Sequence, residues 1–221
     1  MLTIIPCTAS TYVTEQYVNS TGYGRERLYL GYSYTYYRHH VFLQFADLSG
    51  IRGTVTAAKL KLYITEDTGA YRYDLPIRPC RVTQAYDIVK LSYARHAGLI
   101  DTTQPVQRIL ADTDDDGEPD GGNRWVELDV LPIVQAMLTS NHGLALQAQR
   151  EHGTYCNTIG KDGDFAPYLL IEQQVSSLYY HHPNDGIKSG EVYVQQRGGL
   201  RSATEILSVG ADGTLIRGGS Q

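Results

Sequence analysis

The chain has 221 residues, 24 acids against 19 bases, and a hydrophobic content of 42%, enough to bury one sizeable core and too apolar for a disordered chain. The formal net charge of −5 and the scatter of Lys and Arg exclude a nucleic-acid-binding surface, which needs clustered bases. No apolar run reaches the roughly 18 residues of a bilayer span, and the opening Met1-Leu2-Thr3-Ile4-Ile5-Pro6 lacks the basic and apolar regions of a secretory signal.

Period-two alternation dominates the first three-quarters of the chain. Short strands are predicted at residues 28–30 and 41–45. At residues 59–64, Leu60, Leu62 and Ile64 interleave with Lys59, Lys61 and Tyr63, the pattern of a strand with one wet face. Residues 77–82 form another strand. Val126, Leu128 and Val130 then alternate with Trp125, Glu127 and Asp129. Asp129 is placed to cap a short helix in which Leu131, Val134 and Leu138 share a face, helped by Ile133 and Met137; Pro132 is tolerated in its first turn, and Asn141 with Gly143 ends it. Strands at residues 144–149 and 168–171 complete the pattern. Strands this short with polar outer faces predict an all-β antiparallel sandwich with one short helix.

Beyond Gln173 the texture changes. Residues 175–190 mix Ser, Tyr, His, Pro, Asn, Asp and Gly, which reads as a connector. Two hairpins are predicted after it, one with Val192 and Val194 before Gly198-Gly199, the other turning at Asp212-Gly213 between residues 206–209 and 214–216. So few residues cannot build a core alone. The expected organisation is a sandwich over 1–173 and a connector with a C-terminal β-hairpin extension over 174–221, docking on the main domain, a second copy or another subunit.

The acids are concentrated in one place. Asp112, Asp114, Asp115, Asp116, Glu118 and Asp120 surround Gly117, leaving the rest of the chain near neutral. Oxygen ligands at the first, third, fifth and ninth places of a turn are what a hard cation needs, with the backbone carbonyl of Glu118 completing the arc. A structural Ca²⁺ held by Asp112, Asp114, Asp116, Glu118 and Asp120 is therefore expected, against a merely solvated acidic loop. Asn123 stands in the twelfth place and no flanking helices are evident, so the loop is not an EF-hand.

Tyrosine is the second bias, 18 residues against one Trp and three Phe. Tyr32, Tyr34, Tyr36 and Tyr37 sit together before Arg38-His39-His40. Aromatic rings stack on sugar C–H faces while hydroxyls bond polar groups, so this cluster is a candidate for glycan or partner contact. The alternative is a sheet surface filled by residues of high strand propensity. The adjacent pairs His39-His40 and His181-His182 point to opposite faces of a strand and make no chelate; surface or interface positions are expected for them. Cys7, Cys80 and Cys156 are odd in number, without metal spacing, and read as small apolar residues.

In order and spacing, several blocks over residues 1–173 resemble the DNRLRE-type domains, jelly-roll modules grouped with carbohydrate-binding modules and found in bacterial surface proteins and some phage proteins. They include Thr11-Tyr12-Val13, Asn19-Ser20-Thr21-Gly22-Tyr23-Gly24, residues 41–49, Ala58-Lys59-Leu60-Lys61-Leu62-Tyr63, Trp125-Val126-Glu127-Leu128-Asp129-Val130, Asn141-His142-Gly143-Leu144 and Pro167-Tyr168-Leu169-Leu170-Ile171. Tyr86 and Met137 stand where that family usually has Trp. The resemblance implies a jelly-roll β-sandwich and non-catalytic binding or assembly.

No metalloprotease, nucleophile-elbow, Walker or dinucleotide motif occurs. The densest acids share one loop, where nothing separates an acid from a base. The expectation is a non-enzymatic extracellular or virion module, first a structural, adhesin or decoration component of a phage-like particle, with other particle subunits or itself as partner. The alternative is a carbohydrate-binding module recognising a polysaccharide.

Overall fold

The computed structural model describes residues 1–174 apart from 26–27, 34–36, 66–73, 111–122, 150–155, 160 and 162, and beyond 174 the strands of three hairpins; for residues 33, 156–159 and those past 174 only the backbone is described. It is the antiparallel β-sandwich that the alternation predicts. In chain order the strands are β1 (Leu2–Thr14), β2 (Leu28–Ser33), β3 (Tyr37–Phe45), β4 (Thr54–Ile64), β5 (Leu75–Val82), β6 (Ile100–Asp101), β7 (Gln107–Ile109), β8 (Arg124–Asp129), β9 (Leu144–Ala148), β10 (Cys156–Ile159) and β11 (Tyr168–Gln174).

One layer runs β8-β4-β11-β1 and the other β1-β3-β9-β5, with β6 and β7 on β5. The long first strand belongs to both. Its residues 2–6 pair with β11, and from Cys7 opposite Phe45 it pairs with β3 as far as Thr14 opposite His39, with a bulge between Cys7 and Ala9. A bulge bends a strand and increases its twist, which lets one strand turn the corner between layers. At one end β10 joins the layers a second time, pairing with β2 and, through Ile159 opposite Ile64, with β4.

The main core lies between the layers. Leu28, Leu30, Leu43, Leu60, Leu62, Ile77, Leu128, Leu144, Leu146, Leu169 and Ile171 are fully or almost fully buried there. A second apolar cluster, Val13, Phe42, Cys80, Val82, Leu91 and Ala145, lies on the outer face of the β3-β9-β5 layer, where Tyr86, Tyr93, Leu99 and Ile100 pack over it. The segment between β5 and β6, with the one-turn helix α1 (Tyr93–His96), therefore roofs that layer. Periodicity predicts a single helix; α1 is too short to give a periodic signal.

The predicted helix is α2 (Leu131–Met137), and Asp129 Oδ1 accepts the Leu131 N–H at 3.1 Å. Its buried face is Ile133, Val134 and Met137, whereas Leu138 is exposed, so the helix is turned from the expected Leu131-Val134-Leu138 stripe. It closes the end of the sandwich away from Tyr37, Ile64, Leu75, Ile109, Arg124 and Ala148, which the strand registers gather at the other end. Tyr86 packs over the second cluster and Met137 lies in the main core, so neither substitution for Trp touches an exposed face.

Beyond Gln174 the described strands form β12 (Leu178–His182) with β13 (Gly186–Gly190), β14 (Tyr193–Gln196) with β15 (Gly199–Ser202), and β16 (Ile206–Val209) with β17 (Leu215–Arg217). The first of these occupies the stretch read as a connector. Its mixed polar composition hid the strand pattern.

One glycine is fixed by close approach. Gly143 has φ +86°, and a Cβ there would lie 2.2 Å from the Leu43 carbonyl oxygen, a backbone atom of the central strand β3. Both the left-handed backbone and the contact exclude a side chain. Gly143→Ala is expected to lower unfolding stability by at least about 2 kcal/mol in chemical denaturation. An unchanged midpoint would contradict this account of the β3-β9 junction.

Candidate carbohydrate-binding surface

The two layers differ in what covers their outer faces. The β3-β9-β5 face is roofed; the β8-β4-β11 face carries no apolar roof among the described residues. Register decides which side chains it presents. Tyr63 stands opposite Trp125, Lys61 opposite Glu127 and Tyr168, and Lys59 opposite Asp129 and Leu170. Their neighbours Leu60, Leu62, Leu128, Leu169 and Ile171 point into the core, so alternation sends all of these outward.

Four aromatic rings meet at one end of this face. Tyr63 stacks on Phe165 with centroids 4.3 Å apart and planes at 29°. Trp125 meets Tyr63 edge-on at 5.4 Å and Tyr168 edge-on at 5.2 Å. Phe165 comes from the one-turn 3-10 helix Gly163–Phe165, where Gly163 takes φ +61° just before β11. Trp125 is 37% exposed and Phe165 46%. Tyr63 and Tyr168 are half-buried beside them, so the four rings form a partly exposed aromatic cluster.

Beside the rings lies paired charge. Lys61 bridges to Glu127, and Lys59 Nζ lies 3.3 Å from Asp129 Oδ2. The Lys61 ammonium holds the Glu127 carboxyl below the ordinary carboxylate range. Glu127, Lys59 and Asp129 are exposed, whereas the Lys61 side chain is only 17% exposed; pairs open to solvent contribute little to stability.

The residues singled out from the sequence fall elsewhere. Tyr32 is buried, which takes it off the surface where the tyrosine cluster was expected; Tyr37 is 43% exposed at φ +60°; Tyr34 and Tyr36 lie outside the described residues. Asp112, Asp114, Asp116, Glu118 and Asp120 also lie outside them. The flanks of that acidic segment are described: the Arg124 guanidinium donates to the Leu110 carbonyl, bringing the two flanks together next to Trp125. Among the described residues no group of three or more His, Cys, Asp or Glu is gathered as for a metal ion.

The histidine pair on β3 corrects a sequence expectation, because His39 and His40 are buried rather than at the surface. They do face opposite ways, His39 toward Tyr12 and Tyr29, His40 toward Tyr93 and His96. His40 Nδ1 accepts the Ala148 N–H at 3.0 Å, and His96 Nδ1 bonds the Tyr93 carbonyl. Burial lowers all three, His39 to about 4, His40 well below its ordinary value with help from His96 and Arg38, and His96 in the same direction. Cys80 is a free buried thiol, pushed up to about 12 by desolvation, and is inert.

Residues 3–173 match the model of carbohydrate-binding module family 96. An antiparallel sandwich with an open aromatic sheet face is thus found in a chain that belongs to this carbohydrate-binding family. No curated protein matches it. The aromatic surface was missed in the sequence because Tyr63, Phe165 and Tyr168 are distant from Trp125 in the chain; the available signal was Trp125 on the polar side of an alternating strand.

The buried histidines give a pH dependence of stability. Their folded values lie below the unfolded value of about 6.5, so the unfolded chain binds more protons. Stability is full above about pH 6.5 and falls as pH drops toward 4, with His39 alone contributing on the order of 3 kcal/mol when fully titrated. The melting temperature should decline between about pH 6.5 and 4.5, above the range where most carboxylates titrate, and His40→Asn should flatten the slope. A flat profile in the wild type would refute it.

Proposed function

We propose that the sandwich binds carbohydrate without catalysis, through Trp125, Tyr63, Phe165 and Tyr168, with Lys61 and Glu127 bonding sugar hydroxyls. The observation that carries this is the exposed Trp125–Phe165 cluster on an open sheet face in a member of a carbohydrate-binding family. Pyranose C–H faces pack on aromatic rings, and polar groups at the ring edge fix orientation. The family supports this reading over assembly in a phage-like particle. An extracellular or virion setting and docking through residues 174–221 extend the proposal.

Affinity electrophoresis against a panel of polysaccharides tests it. Trp125→Ala and Phe165→Ala are each expected to weaken retention by about tenfold or more, about 1.4 kcal/mol, with circular dichroism showing that the fold is retained. Retention equal to wild type in both variants would sink the assignment of the site.

Structural Ca²⁺ at Asp112, Asp114, Asp116, Glu118 and Asp120 is part of the same proposal, supported by the carboxylate spacing. Ca²⁺ should raise the melting temperature, and Asp114→Ala with Asp116→Ala should abolish the rise. Absence of any response to Ca²⁺ in the wild type would remove the metal.

A further inference from the structure

The roof over the β3-β9-β5 layer closes on a pair of buried histidines. Residues 83–99 are held down mainly by side chains: Tyr86, Leu91 and Leu99 belong to the cluster with Phe42, Cys80 and Val82. One backbone bond, from the Ala94 N–H to the Val18 carbonyl at 2.8 Å, ties the segment to the chain after β1. Two more, from the Thr83 N–H to the Leu99 carbonyl and from the Gln84 side-chain amide to the Gly98 carbonyl, close it on itself. The layer beneath is knit by antiparallel registers that run from β3 through β9 to β5. A segment with few backbone bonds to its surroundings opens at lower free energy than the sheet it covers.

His40 of β3 and His96 of α1 meet under this roof with ring centroids 5.0 Å apart, and Tyr93 stacks on His40. Both rings are almost fully buried. His40 Nδ1 accepts the Ala148 N–H, so the neutral ring carries its hydrogen on Nε2, which has no hydrogen-bond partner among the described residues. A second proton can go only to Nδ1, where N–H would face N–H and the bond to β9 would be lost. His96 Nδ1 bonds the Tyr93 carbonyl and so carries that ring's hydrogen, leaving Nε2 to take a proton. The surrounding charge opposes both events. Arg38, His39 and His96 each disfavour charge on His40, and Arg38 disfavours it on His96. On the β5 side Arg78 donates to Gln147 of β9, a further cation on this face. The carboxylate of the neighbourhood, Glu15, is already taken up by Arg38 through bonds of 3.3 and 3.1 Å, and Arg38 also bonds the Tyr93 side chain.

We propose that His40 and His96 form an acid-sensitive latch, whose protonation releases residues 83–99 from the β3-β9-β5 face while the sandwich itself stays folded. Like charge arises on both sides of the contact, beside Arg38, and the bond from Ala148 to His40 is lost in the same step. Release lets water reach both rings and bares Phe42, Cys80 and Val82, an apolar face that the closed form hides. The open form titrates near 6.5 and the closed form lower. Each ring therefore shifts the balance toward the open form by up to about tenfold per pH unit below about 6.5. His39 faces the other way, against Tyr12 and Tyr29, and titrates only near about 4, so the latch acts first.

The test uses the full chain, with the Cys80 thiol, fully buried under the roof, as reporter. Labelling by 4,4′-dithiodipyridine, which reacts with thiols in acid, is followed between about pH 7.5 and 5. Each rate is taken relative to free cysteine at the same pH, and mass spectrometry separates Cys80 from Cys7 and Cys156. The relative rate at Cys80 should rise by about tenfold or more at pH 5, with Trp125 emission and far-ultraviolet circular dichroism unchanged. His40→Asn keeps an acceptor for the Ala148 N–H without a titrating ring and should remove most of the rise. His96→Asn keeps a donor for the Tyr93 carbonyl, should reduce the rise, and serves where the first variant does not fold. A relative rate that does not change with pH in the wild type would overturn the latch. So would a full rise in the folded variants, or a rise that comes only with loss of the circular dichroism signal, since the whole sandwich would then be unfolding.

Discussion

The molecule depends on one strand that serves two sheets. Residues 2–6 of β1 pair with β11 in one layer, and from Cys7 onward, across the Cys7/Ala9 bulge, the same strand pairs with β3 in the other. Backbone hydrogen bonds along β1 thus fix the separation and relative direction of the layers, and the leucine-rich core between them is filled as a consequence. Buried backbone groups must be paired, so the strand has little freedom to slip. Slipping by one residue would also turn Ile5 and Val13 out of the interior.

That arrangement produces an asymmetry between the outer faces. The segment between β5 and β6 covers the β3-β9-β5 layer with Tyr86, Leu91, Tyr93 and Leu99, together with His96 against His40. This roof buries a second apolar cluster, with its histidines held neutral. The opposite layer has no such roof among the described residues, and its outward row carries rings, paired charges and aliphatic side chains. The sandwich thus closes one face and leaves the other open; under the proposed function the closed face serves stability and the open face recognition.

The sequence was most legible where a strand has one wet face and one buried face. Leu60, Leu62 and Ile64 and the alternation through Leu128 marked β4 and β8 correctly, and Asp129 marked the start of α2. The 13-residue β1 was hidden by Pro6 and by the bulge, which break the period of two. Helix α2 was found but its buried face was rotated, because Leu131, Ile133, Val134, Met137 and Leu138 offer overlapping stripes and only the packing chooses among them. The aromatic surface assembles Trp125, Tyr63, Phe165 and Tyr168 from separate parts of the chain, and only register brings them together. The local density of tyrosines at residues 32–37 is the stronger signal in one dimension, yet Tyr32 is turned inward.

Trp125 is the single tryptophan of the chain and stands in the proposed surface, so its fluorescence reports on that surface alone. The most direct measurement is its emission and its quenching by acrylamide during titration with a polysaccharide whose binding is independently established. The account predicts a saturable emission shift and reduced quenching, with the same midpoint as binding. Saturable binding that leaves both signals unchanged would contradict it, because the ligand would then occupy another part of the molecule.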